Sequence, residues 1–142
     1  MYEITCGEVW GGIQENNVDL MTSGIEASLY SSAFDGGKGG DIYYLSVCDS
    51  DLLTRVVLAD VMGHGEVVSS TSEWLCNSLR HRMNSTAGHD VLADLNSAAV
   101  EYGYKALTTA AVIAYYRHRK EFFYTYAGHH PVLIRRAEET QW

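Results

Sequence analysis

One proline, Pro131, is all the chain contains, and no stretch is of low complexity. Both absences argue against disorder. Basic residues are also few. Ten Lys and Arg against 18 Asp and Glu leave a formal net charge of −8, which argues against a surface for nucleic acid or anionic membrane. Any basic, partner-facing patch would have to be local. No apolar run approaches the ~18 residues of a membrane span. Residues 1–6, Met-Tyr-Glu-Ile-Thr-Cys, lack the basic and apolar regions of a signal peptide, so the expected location is the cytoplasm. Cysteine is scarce: Cys6, Cys48 and Cys76 are odd in number and lack metal-site spacing. They read as small buried hydrophobes in a reducing compartment.

What is present is core-forming material, 46% apolar and 11% aromatic over 142 residues. Residues 1–142 are therefore read as a single domain. Its organising stretch is Ala59-Asp60-Val61-Met62-Gly63-His64-Gly65-Glu66, which joins an apolar run to a long helical pattern. Residues 42–48 and 53–61 are rich in β-branched and aromatic side chains, as strands are. Asp49-Ser50-Asp51 between them is turn chemistry. An antiparallel hairpin follows. A turn centred between Ser50 and Asp51 pairs Leu45 with Val56, Tyr43 with Leu58 and Asp41 with Asp60.

Opposed residues on one face of a hairpin have Cβ atoms roughly 4.5–5.5 Å apart. Two carboxylates that close repel unless one is protonated or a cation lies between them. A hard divalent ion such as Mg²⁺ or Mn²⁺ suits an oxygen donor set. The same acids could equally be solvated charges at a hairpin end, and a one-residue slip would undo the pairing. Gly39-Gly40 just before Asp41 favours a site, because backbone that approaches a ligand closely needs glycine. A flexible linker is the other reading of so glycine-dense a loop.

Five motifs stand in order: Gly39-Gly40-Asp41, Asp60-Val61-Met62-Gly63-His64-Gly65, Leu95-Asn96, Thr109-Ala110 and Ala127-Gly128-His129-His130-Pro131. Together they resemble the metal-dependent PPM (2C-type) protein serine/threonine phosphatases, in the bacterial branch named for stage II sporulation protein E (SpoIIE). The resemblance covers residues 39–134. It implies two stacked sheets flanked by helices, a four-layer αββα sandwich, with metals at one end.

The rest of the chain fits an α+β fold with an antiparallel sheet and helices on one face. Residues 2–10 and 25–32 read as strands, and residues 18–23 as a strand or a turn. A helix is expected over residues 66–83, with Val68, Ser72, Leu75, Leu79 and Met83 as its apolar stripe. Arg80, His81 and Arg82 suit its C-terminal dipole. Asp90 fits the start of a second helix carrying Leu92, Leu95, Ala99 and Tyr102 on one face, and Gly103 is placed to stop it. Residues 107–116 and 121–127 read as strands around a charged turn at residues 117–120, and residues 132–135 begin another.

The resemblance further implies that Asp60 bridges two Mn²⁺ or Mg²⁺ ions, that Asp41 binds one, and that the Val61 carbonyl is a third ligand. Water activated by the ions would then attack phosphorus, with no Cys or Ser nucleophile; the absence of a Cys-x5-Arg loop agrees. His64 titrates in the right range for a general acid. However, the eukaryotic-type branch reads Asp-Gly-His-Gly, and Met62 occupies that histidine's place here. His64 is thus expected to shape the loop, with Gly63 and Gly65 permitting its tight turn. Adjacent His129 and His130 point to opposite faces of extended backbone. His129 matches the family's Ala-Gly-His loop and is expected in a structural or substrate-loop role, and Thr109 in packing.

The family pattern continues beyond Trp142 with another strand pair and a Thr-Asp-Gly-type carboxylate. The resemblance therefore implies a sandwich incomplete at its C-terminal end, an incomplete second metal site and an uncovered edge, which invites a homodimer. The leading functional expectation is a phosphatase acting on phosphoserine or phosphothreonine of a signalling protein, such as an anti-sigma-factor antagonist. A phosphatase-fold module that binds its partner with little or no catalysis is the second. An acidic α+β domain with incidental aspartates is the third.

Overall fold

The β-branched run at residues 53–61 becomes the middle strand of a five-stranded sheet. The computed structural model of the chain describes residues 2–12, 16–33, 38–48, 51–63, 65–82 and 87–141. Among them the strands are β1 (Tyr2–Glu3), β2 (Gly7–Gly11), β3 (Asn16–Met21), β4 (Glu26–Ser31), β5 (Asp41–Cys48), β6 (Leu53–Val61), β7 (Thr108–Tyr116) and β8 (Glu121–Ala127). The helices are α1 (Glu66–Arg82) and α2 (Gly88–Tyr102), and a 3-10 turn spans Tyr104–Ala106. The large sheet runs β2-β5-β6-β7-β8, with every neighbouring pair antiparallel. A smaller sheet runs β1-β3-β4, with β1 parallel to β3 and β3 antiparallel to β4.

Strand alternation divides the side chains of the large sheet between two cores. Ile42, Tyr44, Val57, Ala59, Val61, Ala110 and Val112 pack on one face with the helices. Leu45, Val47 and Val56 pack on the other against Leu20, Val18 and Leu29 of the small sheet. The fold is the expected α+β sandwich. The described residues supply three of its four layers, with both helices against the outer face of the large sheet. None of the described helices is long and apolar enough to cross a membrane.

The α1 stripe is buried at Val68, Ser72, Leu75 and Leu79, and its fifth member, Met83, lies outside the described residues. Arg80 does not simply complement the helix dipole. It pairs with Glu8, which also accepts the Tyr44 hydroxyl, so the last turn of α1 is tied to β2 and β5. The Arg80 hydrogen bond holds the Glu8 carboxyl below its ordinary range, and burial pushes the Tyr44 phenol up. Helix α2 buries Val91 and Leu95, and Tyr102 stacks on Trp74 at 4.6 Å between ring centroids. Gly103 ends α2, its N–H donating to the Ala99 carbonyl at 2.9 Å.

Three expectations need correction. Residues 2–10 are not one strand; the chain crosses between sheets at residues 4–6, placing β1 in one and β2 in the other. Cys6 lies in that crossing and is exposed, Cys48 is half-buried, and Cys76 alone is the buried hydrophobe expected, its thiol pushed up to about 12 by burial. Residues 132–135 form no strand, and Leu133 and Ile134 are exposed. An apolar extended segment becomes a strand only beside a ladder partner, and among the described residues none pairs with it.

Leu79 is 0% exposed. Leu79→Ala should lower the unfolding free energy by about 2–5 kcal/mol, measured by urea titration. Tyr104→Ala, at an 80% exposed position, should change it by less than about 0.5 kcal/mol.

Candidate active site

The hairpin register places Asp41 opposite Asp60, the pairing the turn predicts. Across the next ladder Asp60 stands opposite Thr109. All three lie on the face turned away from the helices, because their strand neighbours Ile42, Ala59, Val61 and Ala110 fill the helix-side core. Beyond Thr109, its hydroxyl lies 2.8 Å from Nδ1 of His129. One transverse row thus runs Asp41, Asp60, Thr109, His129.

Asp41 is exposed as a whole residue. Its carboxyl nevertheless sits close enough to the packed wall that burial is the larger cause of its raised pKa, with the Asp60 charge second and His129 opposing. Like charges side by side favour a shared proton or a cation. A cleft of about 230 Å³ opens here, lined by Gly12, Tyr30, Ser31, Asp41, Tyr43 and His129 among others.

Two glycines box the backbone at Asp41. A Cβ on Gly12 would stand 2.4 Å from the Asp41 carbonyl oxygen, and one on Gly40 would stand 2.6 Å from the Val61 carbonyl oxygen. Either contact is too short for any side chain. Glycine at position 40 therefore lets the backbone close against the Val61 carbonyl, and Val61, expected as a third ligand, is 0% exposed. The Gly40 carbonyl accepts the Val61 N–H at 3.2 Å and, weakly, the hydroxyl of buried Ser72 at 3.4 Å. Gly12 and Ser72 were not foreseen as site residues. Gly11-Gly12 reads only as loop in the sequence, and Ser72 only as part of a helix stripe.

After Asp60 the chain turns sharply into α1. Met62 N–H donates to the Leu107 carbonyl at 2.9 Å, and Gly63 and Gly65 both adopt positive φ. His64 lies outside the described residues. His130 is exposed, with its ring centroid 6.1 Å from that of His129, and only His129 of the two lines the cleft.

The donor set is two carboxylates, with the Val61 carbonyl buried beside them; among the described residues no group of three or more His, Cys, Asp and Glu could hold a metal. Hard oxygen donors few in number fit Mg²⁺ or Mn²⁺, which keep several waters and take phosphate oxygens as further ligands. The larger cavity, about 330 Å³, lies between α1, α2 and β7 and is lined by residues such as Trp74, Leu92 and Leu107. It holds no carboxylate or imidazole, so the acid chemistry belongs to the smaller cleft.

The family model for Stage II sporulation protein E (SpoIIE) matches residues 50–142. The chain belongs to the SpoIIE family. No curated protein and no solved structure matches it. Membership brings a relationship to PPM-type phosphatases and, in general, to divalent-metal dependence. The SpoIIE match takes in Asp60, both helices, Thr109 and His129 but begins after Asp41, so the place of Asp41 in the site rests on the hairpin register.

A carboxyl with a raised folded-state pKa contributes stability that is fully present below its unfolded value, 3.8 here. That contribution is lost as pH rises through the raised value. In EDTA, Asp41→Asn should therefore have a higher melting temperature than the parent SpoIIE-family chain at pH 7. The difference should shrink as pH falls towards 3.8, as thermal melts across that range would show.

Proposed function

We propose that the chain is a Mn²⁺- or Mg²⁺-dependent phosphatase acting on phosphoserine or phosphothreonine of a signalling protein. The observation that carries this is Asp41 opposite Asp60 on one sheet face. Asp60 would serve two ions and Asp41 one. When bound, such ions supply an activated water and neutralise charge at phosphorus. The cleft beside Asp41 receives the phosphoryl group, and the boxed backbone of Gly12 and Gly40 keeps the carboxylates in place. No thiol is needed for attack; Cys76 is buried and its pKa stands at about 12. A small anti-sigma-factor antagonist is the substrate this reading expects, and the cytoplasm the location. Among the described residues β8 pairs only with β7; that edge, with Phe122 and Phe123 about half exposed, favours a homodimer.

A second reading is a phosphatase-fold module that binds a signalling partner with little or no turnover. The small donor set favours it, since among the described residues no third His, Cys, Asp or Glu joins the two acids.

Phosphate release from p-nitrophenyl phosphate and from a phosphoserine protein, with Mn²⁺ and with EDTA, separates the two. The enzyme reading expects Mn²⁺-dependent turnover that falls by more than about 100-fold in Asp60→Asn, since even outer-shell metal partners cost 10–100-fold. Mn²⁺ binding by calorimetry without turnover would support the module. Metal-independent turnover, or no metal binding at all, would sink the proposed site.

A further inference from the structure

We infer that Thr109 is a positioning residue, whose hydroxyl on Nδ1 of His129 turns the imidazole so that Nε2–H faces the cleft as donor to a phosphoryl oxygen. This rests on the phosphatase reading for the identity of the acceptor, but not for the Thr109–His129 pair itself. The contact is 2.8 Å long and joins residues 20 apart in sequence. Two features of the fold create it. Strand β8 ends at Ala127, and Gly128 bridges Ala110 of β7 in parallel, which brings the next residue back over Thr109. Alternation along β7 meanwhile places Thr109 in the row that contains Asp60.

The two ends of the Thr109 side chain face different neighbours. Its methyl carbon stands 3.7 Å from where a Cβ on Gly128 would lie, while its hydroxyl meets the imidazole. A β-branched side chain has restricted χ1 freedom, so the hydroxyl direction is held. Valine would fill the same strand position by shape, so packing alone does not call for an oxygen here. Imidazole has two ring nitrogens, and which one carries the proton is set by the hydrogen bond the other makes. A hydroxyl can donate to Nδ1 or accept from it; in the arrangement inferred here it donates, and the proton resides on Nε2. When the ring is charged, Nδ1–H donates to the hydroxyl instead, and Nε2 still carries a proton. His129 lines the same cleft as Asp41, so that proton is offered where a phosphoryl oxygen would sit.

The test has a structural and a kinetic arm, both on the full chain. Long-range ¹⁵N–¹H NMR of the imidazoles, with His129 assigned by its loss in His129→Gln, reads the tautomer without any turnover. The parent and Thr109→Ser should show His129 with Nε2 protonated, and Thr109→Val should show mixed tautomers. In phosphoprotein hydrolysis with Mn²⁺, Thr109→Val should lose about 10-fold in kcat/KM, mainly through KM. Thr109→Ser should recover most of that loss. Thermal melts check that both variants fold. A parent-like tautomer and KM in folded Thr109→Val would overturn the assignment, as would a bare Nε2 in the parent. If no variant, parent included, turns over phosphoprotein while the tautomer still changes in Thr109→Val, the phosphatase reading fails and the positioning pair stands.

Discussion

Two carboxylates face each other across neighbouring strands, and the remainder of the molecule is arranged so that they cannot move apart. Asp41 and Asp60 end the hairpin ladder that begins at Cys48 and Leu53. Ile42 to Val47 of β5 are all buried, and β6 is buried at alternate positions or better. Repulsion between the acids is local, whereas the ladder that opposes it is long and packed on both faces. Ions of opposite charge would convert that stored repulsion into binding energy, since a preformed pair of charged donors loses little freedom on binding.

The two cores do different work for this arrangement. The helix-side core fixes the large sheet, and α1 runs straight on from the loop that follows Asp60. The inter-sheet core closes the opposite face under Leu45, Val47 and Val56. The acids occupy the positions on that same face just beyond the apolar layer. A cleft forms there because Gly12 and Gly40 permit backbone contacts that no side chain would allow. The site is therefore built on strands, with loops supplying only its rim.

Local chemistry made much of this legible. The turn chemistry of Asp49-Ser50-Asp51 predicts a register, and β5 and β6 pair in that register; Asp49 and Ser50 themselves lie outside the described residues. The stripe of Val68, Leu75 and Leu79 and the stop at Gly103 marked the helices. What escaped was non-local. Gly12 matters because it meets Asp41 through β2–β5 pairing, which nothing in the Gly11-Gly12 dipeptide announces. The contact of Thr109 with His129 is likewise reached only through a bridge at Gly128. Residues 132–135 have the composition of a strand, but a strand also needs a neighbour. Cys6 lies at a crossing between sheets, and composition alone cannot distinguish such a crossing from a buried strand.

The family-matched region begins at residue 50, between β5 and β6 in sequence. That boundary falls between two strands which share a full ladder. Cutting the protein there would strip β6 of β5 from Leu53 to Asp60, leaving it only its ladder with β7, and carry away the carboxylate that faces Asp60. The remaining piece would have an exposed sheet edge at β6, because the segment outside the family-matched region supplies β5, the strand that covers that edge.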